Sequence, residues 1–286
     1  MIEVQRLEKK RKEFHLRIDE LVLNKGMTLI VGRNGAGKST FLQLLATAMT
    51  PGSGKITYAG VSGDYLARVR REIGFLPTEI ELYPDMKVGN FMSYMGRMKA
   101  LRHPDRASQE VLQVLNLKED SQRKIGLLSE GGKQRVALGQ AMLGMPYFLF
   151  LDEPLNGLDT REKKSLINWI GSHYTEQRQA VVISHDLNEW ERVCDYVLWI
   201  DNGRPVFYGS VTQWKYVTEG AVWQGPATDK EKYALLGEDI LSINQRYIRI
   251  IADTPPNQHF KRCPLTLEDA YFLRLRYKDR MMSNNH

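Results

Sequence analysis

The stretch from Gly32 to Thr40 reads GRNGAGKST, follows the apolar run Met27 to Val31 and precedes the helical pattern FLQLLATAM. A strand, a glycine-rich turn and a helix in that order make a loop that wraps a polyphosphate. Gly32, Gly35 and Gly37 lack the Cβ that would block close approach of the backbone or forbid the φ angles the turn needs. Arg33, Asn34 and Ala36 between them supply inward-pointing amide N–H groups. Lys38 brings a cation to the β- and γ-phosphates, and Ser39 offers a hydroxyl to Mg²⁺. Thr40 belongs to the start of a helix whose N-terminus favours anions.

The remaining sequence decides what surrounds this loop. A chain of 286 residues can bury one large domain, or one domain with a smaller appendage. With 42% hydrophobic and 26% charged residues it reads as globular, and no apolar run approaches the roughly 18 residues that span a bilayer. The opening MIEVQRLEKKRKEF lacks the apolar core and cleavage site of a secretory signal, so a cytosolic protein is expected. Cys194 and Cys263 stand far apart without metal-ligand spacing, which predicts reduced thiols and no structural metal. The formal charge of +6 is spread along the chain apart from Lys9 to Lys12 and the tail. A solvated surface accounts for it, and an anionic membrane face or nucleic acid stays open on charge alone.

Strands are predicted over Ile2 to Leu7 and Phe14 to Leu23, both as edge strands, and over Met27 to Val31, whose unbroken apolarity fits a parallel strand covered on both faces. The turn formers Thr50 to Gly54 end the first helix, and KITYAG starts another strand. Tyr65 to Arg71 reads as a helix and Ile73 to Pro77 as a short strand. Val88 to Leu101 and Ser108 to Leu117 carry helical spacing, so a helical insertion over about 79–142 is expected to interrupt the sheet. Met92, Met95 and Met98 form a stripe that either fills the insertion's own core or receives another protein's helix.

Tyr147 to Leu151 returns to a buried strand and ends in Asp152 and Glu153. A helix over Glu162 to Tyr174 and a strand over Ala180 to Ile183 follow, the strand ending at Ser184-His185. In open α/β sheets ligands collect at the carboxyl edge, so Lys38, Asp152, Glu153 and His185 are expected to face one site. A helix over Leu187 to Cys194, strands Tyr196 to Ile200 and Pro205 to Tyr208, and the turn between them complete the pattern. After that a strand over Tyr247 to Ala252 and a helix near Leu267 to Tyr277 suggest a small, separate element, and the final MMSNNH reads as frayed.

These motifs, in this order, resemble the nucleotide-binding subunit of an ATP-binding cassette transporter over about residues 1–214, with a small extension over 215–286. The phosphate loop is joined by LSEGGKQRV at Leu128 to Val136, like the family's signature segment, by the Walker B strand YFLFLDEP, by the D-loop LNGLD at Leu155 to Asp159, and by the switch histidine His185. The resemblance implies an α/β P-loop NTPase fold with a parallel-sheet core, N-terminal antiparallel strands and an inserted helical subdomain. It implies Mg²⁺-dependent ATP hydrolysis: Ser39 holds Mg²⁺, Asp152 holds it through its water shell, Glu153 deprotonates the attacking water, and His185 orients it. Ser129 and Gly131 would cap the γ-phosphate of an opposing subunit, and Asp159 would cross that interface. A second nucleotide-binding subunit, homologous or heterologous, and separate integral membrane permease subunits are therefore implied partners, with the chain peripheral at the inner face of the cell membrane and no nucleic acid expected.

Three positions depart from the family pattern. Thr78 stands where a glutamine normally reaches Mg²⁺, too short to replace it directly but able to act through a bridging water. Glu130 takes the place of the signature's first glycine and Gly132 that of its glutamine or methionine. Phe14 is a candidate to stack on adenine and equally a candidate for core packing. Thr266 to Ala270 resembles tails of exporter cassettes, which makes export the expected direction. A regulatory or impaired cassette working with a heterologous partner, or a cassette acting on ribosomes or DNA, are the alternatives.

Overall fold

The computed structural model describes all residues except 12–13, 59–60, 63–65, 175–176, 218–219, 228–238, 244–245 and 284–286. Lys12, Ala59, Gly60, Tyr65 and the last residues of the MMSNNH tail therefore lie outside the described residues. The chain divides into two compact units, Met1–Tyr208 and Gly209–His286.

In the first unit, β1 (Ile2–Arg11), β2 (Phe14–Leu23), β4 (Ser53–Tyr58) and β5 (Val61–Ser62) form an antiparallel sheet in the order β2-β1-β4-β5. β2 alternates between buried and exposed positions, as a strand with one covered face should. Of the two strands predicted as edges, only β2 is one. β1 is interior because β4 pairs with its second side.

A second, six-stranded sheet holds β3 (Gly26–Val31), β6 (Ile73–Leu76), β7 (Phe148–Asp152), β8 (Gln179–Ile183), β9 (Tyr196–Asp201) and β10 (Arg204–Ser210) in the order β10-β9-β3-β8-β7-β6. β6, β7, β8, β3 and β9 pair in parallel. Every residue of β3, β7 and β8 is buried, which explains why these strands read as apolar runs without alternation. The β9–β10 hairpin closes through Asn202 and Gly203, both at positive φ, the geometry a two-residue turn needs.

Helix α1 (Lys38–Leu45) lies between the two sheets. Its Phe41, Leu42 and Leu45 pack with Leu7 and Ile18 of the antiparallel sheet and with Ile30, Phe150 and Ile183 of the parallel one. Helix α2 (Leu66–Arg71) precedes β6, and its Val69 joins the same core. Between β6 and β7 come α3 (Val88–Met98), α4 (Pro104–Val114), a 3-10 turn at Ile125–Leu127 and α5 (Glu130–Met142). α4 starts earlier than predicted because Pro104 occupies its first turn, where a missing N–H costs nothing. The methionine stripe is split: Met92 is fully buried beside Gly139 of α5, whereas Met98 is 67% exposed. Helix α6 (Thr160–His173) follows β7. The helix predicted over Leu187 to Cys194 is a 3-10 turn, Leu187–Trp190, followed by a hydrogen-bonded turn over 191–193. One turn suffices to bury Leu187 and Trp190.

The second unit is richer than its sequence suggested. After α7 (Val211–Lys215), β11 (Ala221–Pro226), β12 (Asp239–Ile243), β13 (Tyr247–Ala252) and β14 (Lys261–Arg262) form an antiparallel sheet in the order β12-β13-β11-β14. Helix α8 (Leu267–Ser283) places Leu273 against Val222 and Ile251. The segment Thr266 to Ala270 starts this helix: Thr266 N–H donates to Asp269 Oδ2 at 2.8 Å and Asp269 N–H to Thr266 Oγ1 at 3.2 Å, a reciprocal cap. Arg249 Nη2 also reaches Asp269 Oδ2, at 2.7 Å.

Candidate functional site

The parallel register sets the site. Ile30 of β3 and Asp152 of β7 both align with Ile183 of β8, so the chain leaves these three strands at one level of the sheet. At and just past their ends stand the phosphate loop, the acidic pair and His185. They line one cleft of about 690 Å³, together with Phe14, Thr78 and Arg11.

In the loop, Gly32, Gly35 and Gly37 have φ of 149°, 77° and 102°. A Cβ on Gly32 would strike the Ile200 carbonyl, and one on Gly37 would strike the Phe14 ring. Gly37 also caps α1 without a side-chain acceptor, so the first amides of that helix stay available for an anion. Lys38 Nζ donates to Gly32 O at 2.7 Å and to Arg33 O at 3.0 Å, folding its ammonium into the loop. Burial lowers its pKa from the ordinary range, against the attraction of Glu153 and Asp152. Asn34, Gly35, Ser39 and Thr40 line the cleft, whereas Ala36 is buried behind it and accepts a hydrogen bond from Gly203 N–H at 3.0 Å. The Phe14 ring packs on the core and also forms part of the cleft wall.

Across the cleft, Asp152 is 4% exposed and its Oδ2 accepts a hydrogen bond from Thr78 Oγ1 at 2.8 Å. Thr78, too short to stand in for a glutamine, places its hydroxyl directly on the Asp152 carboxylate. Glu153 has φ of 49°, a left-handed conformation uncommon outside glycine, held by its N–H donating to Ile183 O at 2.9 Å. That twist turns its side chain toward His185, whose N–H donates to Glu153 Oε2 at 3.3 Å. Glu153 Oε1 lies 3.3 Å from His185 Nε2, yet is buried without a hydrogen bond. The contact has the separation of an ion pair but not the alignment of a bond. Burial pushes the Glu153 pKa above the usual carboxylate range; His185 and Lys38 oppose that push.

Ser129, Gly131 and Asp159 lie outside this cleft. Ser129 is exposed and caps α5, its Oγ accepting from Gly132 N–H at 3.1 Å. Glu130 is 87% exposed and paired to Lys133 Nζ at 2.7 Å. A Cβ on Gly131 would strike the carbonyl of Gly157, so the signature helix begins directly against the D-loop backbone. Asp159 caps α6, its Oδ1 accepting from Arg161 and Glu162 N–H at 2.8 Å each. Arg135 of α5 pairs with Glu162 of α6 at 2.8 Å, a tie absent from the sequence reading. Arg11 was missed as a cleft residue because it sits in a basic run that also reads as surface.

The donors fit a magnesium-bound nucleoside triphosphate. Uncapped helix amides and Lys38 suit phosphate oxygens, and the Ser39 hydroxyl with the Asp152 carboxylate is the oxygen pair that Mg²⁺ takes alongside phosphates. Among the described residues no group of three His, Cys, Asp or Glu side chains could hold a metal by itself. At Ser39 and Asp152 the ion fits as the companion of a phosphate ligand.

Comparison with known proteins agrees with this geometry. The ABC transporter family profile matches residues 17–156. The linearmycin resistance ATP-binding protein LnrL of Bacillus subtilis is 32% identical over 66% of this chain and 62% of its own length, so the match spans about three fifths of that relative. The molybdate/tungstate import ATP-binding protein WtpC of Archaeoglobus fulgidus is 32% identical over 73% of this chain and 87% of its own length. A dimeric structure of a bacterial ABC transporter cassette superimposes with a TM-score of 0.65, at 22% identity, over 74% of this chain and 99% of that one. A P-loop, two adjacent carboxylates and a histidine on one sheet edge, in a chain with these relatives, lead to one assignment: the protein belongs to the ABC transporter family, as an ATP-binding subunit with the α/β fold of a P-loop NTPase.

Proposed function

We propose that this chain binds Mg-ATP in the cleft, hydrolyses it at an interface with a second nucleotide-binding subunit, and so drives transport through integral membrane permease subunits on other chains. The first compact unit carries the nucleotide chemistry and the second is its extension. One observation carries the reading: Glu153 Oε1, buried and without a hydrogen bond, sits 3.3 Å from His185 Nε2 in the cleft that Lys38 lines. A buried carboxylate with an unused acceptor and a raised pKa is equipped to take a proton.

Lys38 and the amides of α1 hold the β- and γ-phosphates. Ser39 and Asp152 would hold Mg²⁺, which would neutralise charge on the phosphate oxygens. A water directed by His185 gives a proton to Glu153 as its oxygen bonds to the γ-phosphorus. The bond from that phosphorus to the bridging oxygen breaks, and ADP leaves with the electron pair beside orthophosphate. Ser129 and Gly131 stand outside the cleft and serve the nucleotide of the opposing subunit, as the dimeric form of the related cassette supports. Among the described residues no helix is long and apolar enough to cross a membrane. In this reading the chain works at the cytoplasmic face through separate membrane subunits.

Export is the direction we infer, supported by the resistance relative and by the likeness of Thr266 to Ala270 to exporter tails. The import protein WtpC favours the opposite direction. ATP-driven accumulation of solute by inside-out vesicles carrying the chain and its permease separates the two.

Steady-state ATP hydrolysis by the purified chain, measured across protein concentrations, tests the central reading. A rate per subunit that rises with concentration, lost in Glu153→Gln, with that variant forming an ATP-dependent dimer on size exclusion, is the expected result. Nucleotide binding without hydrolysis or dimer at any concentration would refute the homodimer and favour a heterologous partner. Glu130, a carboxylate at the start of the signature helix, is the observation that favours this second reading.

A further inference from the structure

We infer that Thr78 is a positioning residue for the Asp152 carboxylate, fixing by direct hydrogen bond the oxygen that is left to receive Mg²⁺; this rests on the function proposed above. The geometry comes from strand register. β6 lies beside β7 with Leu76 aligned to Leu151, so Pro77-Thr78, just past the end of β6, and Asp152, the last residue of β7, are neighbours across the sheet edge. At that separation a short side chain reaches: Thr78 Oγ1 donates to Asp152 Oδ2 at 2.8 Å. A glutamine is two bonds longer and would carry its amide past the carboxylate.

Three properties make this contact consequential. Asp152 is buried, so its rotamer is set by neighbours and not by water. Threonine is β-branched and stiff about χ1, so it locates its hydroxyl better than a longer side chain would. The bond occupies Oδ2 and leaves Oδ1 without a donor among the described residues, so the carboxylate presents one oxygen in one direction. Losing a partner that orients a metal-binding side chain in this way typically costs about 10–100-fold in metal affinity. Thr78 also lines a second cleft with Glu79, Leu82, Glu130 and Lys133, so it stands where the nucleotide cleft meets the helical insertion. At this position the chain has exchanged a side chain expected to touch the metal for one that holds its ligand.

The test is equilibrium binding of a fluorescent ATP analogue to the full chain, in EDTA and across a Mg²⁺ titration, for wild type, Thr78→Val and Thr78→Ser. Valine keeps the shape and removes the donor; serine restores the donor. In Thr78→Val the Mg²⁺ concentration giving half-maximal enhancement of binding should rise about 10-fold. Affinity in EDTA should stay within about twofold of wild type, and Thr78→Ser should restore the wild-type Mg²⁺ response. An unchanged Mg²⁺ midpoint in Thr78→Val overturns the inference while leaving the proposed function standing. So does an equal loss of affinity in EDTA, which would mark a direct nucleotide contact or a general structural role. If the wild type itself shows no Mg²⁺-dependent binding, the proposed function fails, and this inference with it.

Discussion

Lys99 fastens the helical insertion to the chain that leads into β7, and its removal should change stability with opposite signs at neutral and at strongly alkaline pH. Its Nζ lies past the end of α3 and donates to Leu143 O at 3.0 Å, just past α5. Burial lowers its pKa from 10.5 to about 8, with the attraction of Glu72 opposing. A lowered lysine pKa means the folded state disfavours the charged form. The penalty is fully present below the folded pKa and is gone above the unfolded one. From pH 8 to 10.5 the unfolded chain holds a proton the folded chain has released, so stability rises with pH. At about 1.36 kcal/mol per pH unit the whole penalty is about 3 kcal/mol. Lys99→Met removes that penalty but leaves Leu143 O without its donor, a cost of about 1–2 kcal/mol. The variant should therefore be more stable than wild type by about 1–2 kcal/mol at pH 7 and less stable by a similar amount above pH 10.5. Urea unfolding of both proteins at steps from pH 7 to 11 measures the difference, in which other titrating groups cancel. A difference that stays flat between pH 8 and 10.5 would refute the reasoning, because it would mean that Lys99 keeps its ordinary pKa in the folded protein.

Glu153→Gln should cut ATP hydrolysis by about 10²–10⁴. It should also raise the melting temperature of the nucleotide-free protein at pH 7, because the raised Glu153 pKa marks a carboxylate whose ionised form the fold disfavours. That gain should vanish as pH falls below the ordinary carboxylate range, where both states are protonated. His185→Ala removes an attraction that lowers the Glu153 pKa, so the acid limb of the pH–rate profile should move to higher pH in whatever activity remains. Gly32→Ala would drive a Cβ into the Ile200 carbonyl from a φ of 149°. It should cost about 1–3 kcal/mol in a thermal melt and abolish binding of an ATP analogue. Asp159→Ala removes the acceptor for two amides at the start of α6 and should lower stability by about 1 kcal/mol, while Asp159→Asn should recover most of it.

Some parts of this protein were legible along the chain because local chemistry fixes them. GRNGAGKST could be read because three glycines and a lysine at fixed spacing carry the loop's geometry in the backbone. β3, β7 and β8 were legible because strands buried on both faces admit few polar residues. The order of motifs then placed Lys38, Asp152, Glu153 and His185 on one sheet edge. Tertiary structure decided what depends on neighbours distant in the chain. β4 made β1 an interior strand, which no pattern within β1 reveals. Met92 and Met98 have the same chemistry, and only the packing of α3 on α5 buries one and exposes the other. In the second unit β11 and β14 pair with strands more distant along the chain, so their local sequence carried little signal. Thr78 looked like a missing glutamine until the β6–β7 register put its hydroxyl 2.8 Å from Asp152. A residue's type and spacing state what it can do; its reach to a partner on another strand is a property of the register, which exists only once the sheet has formed.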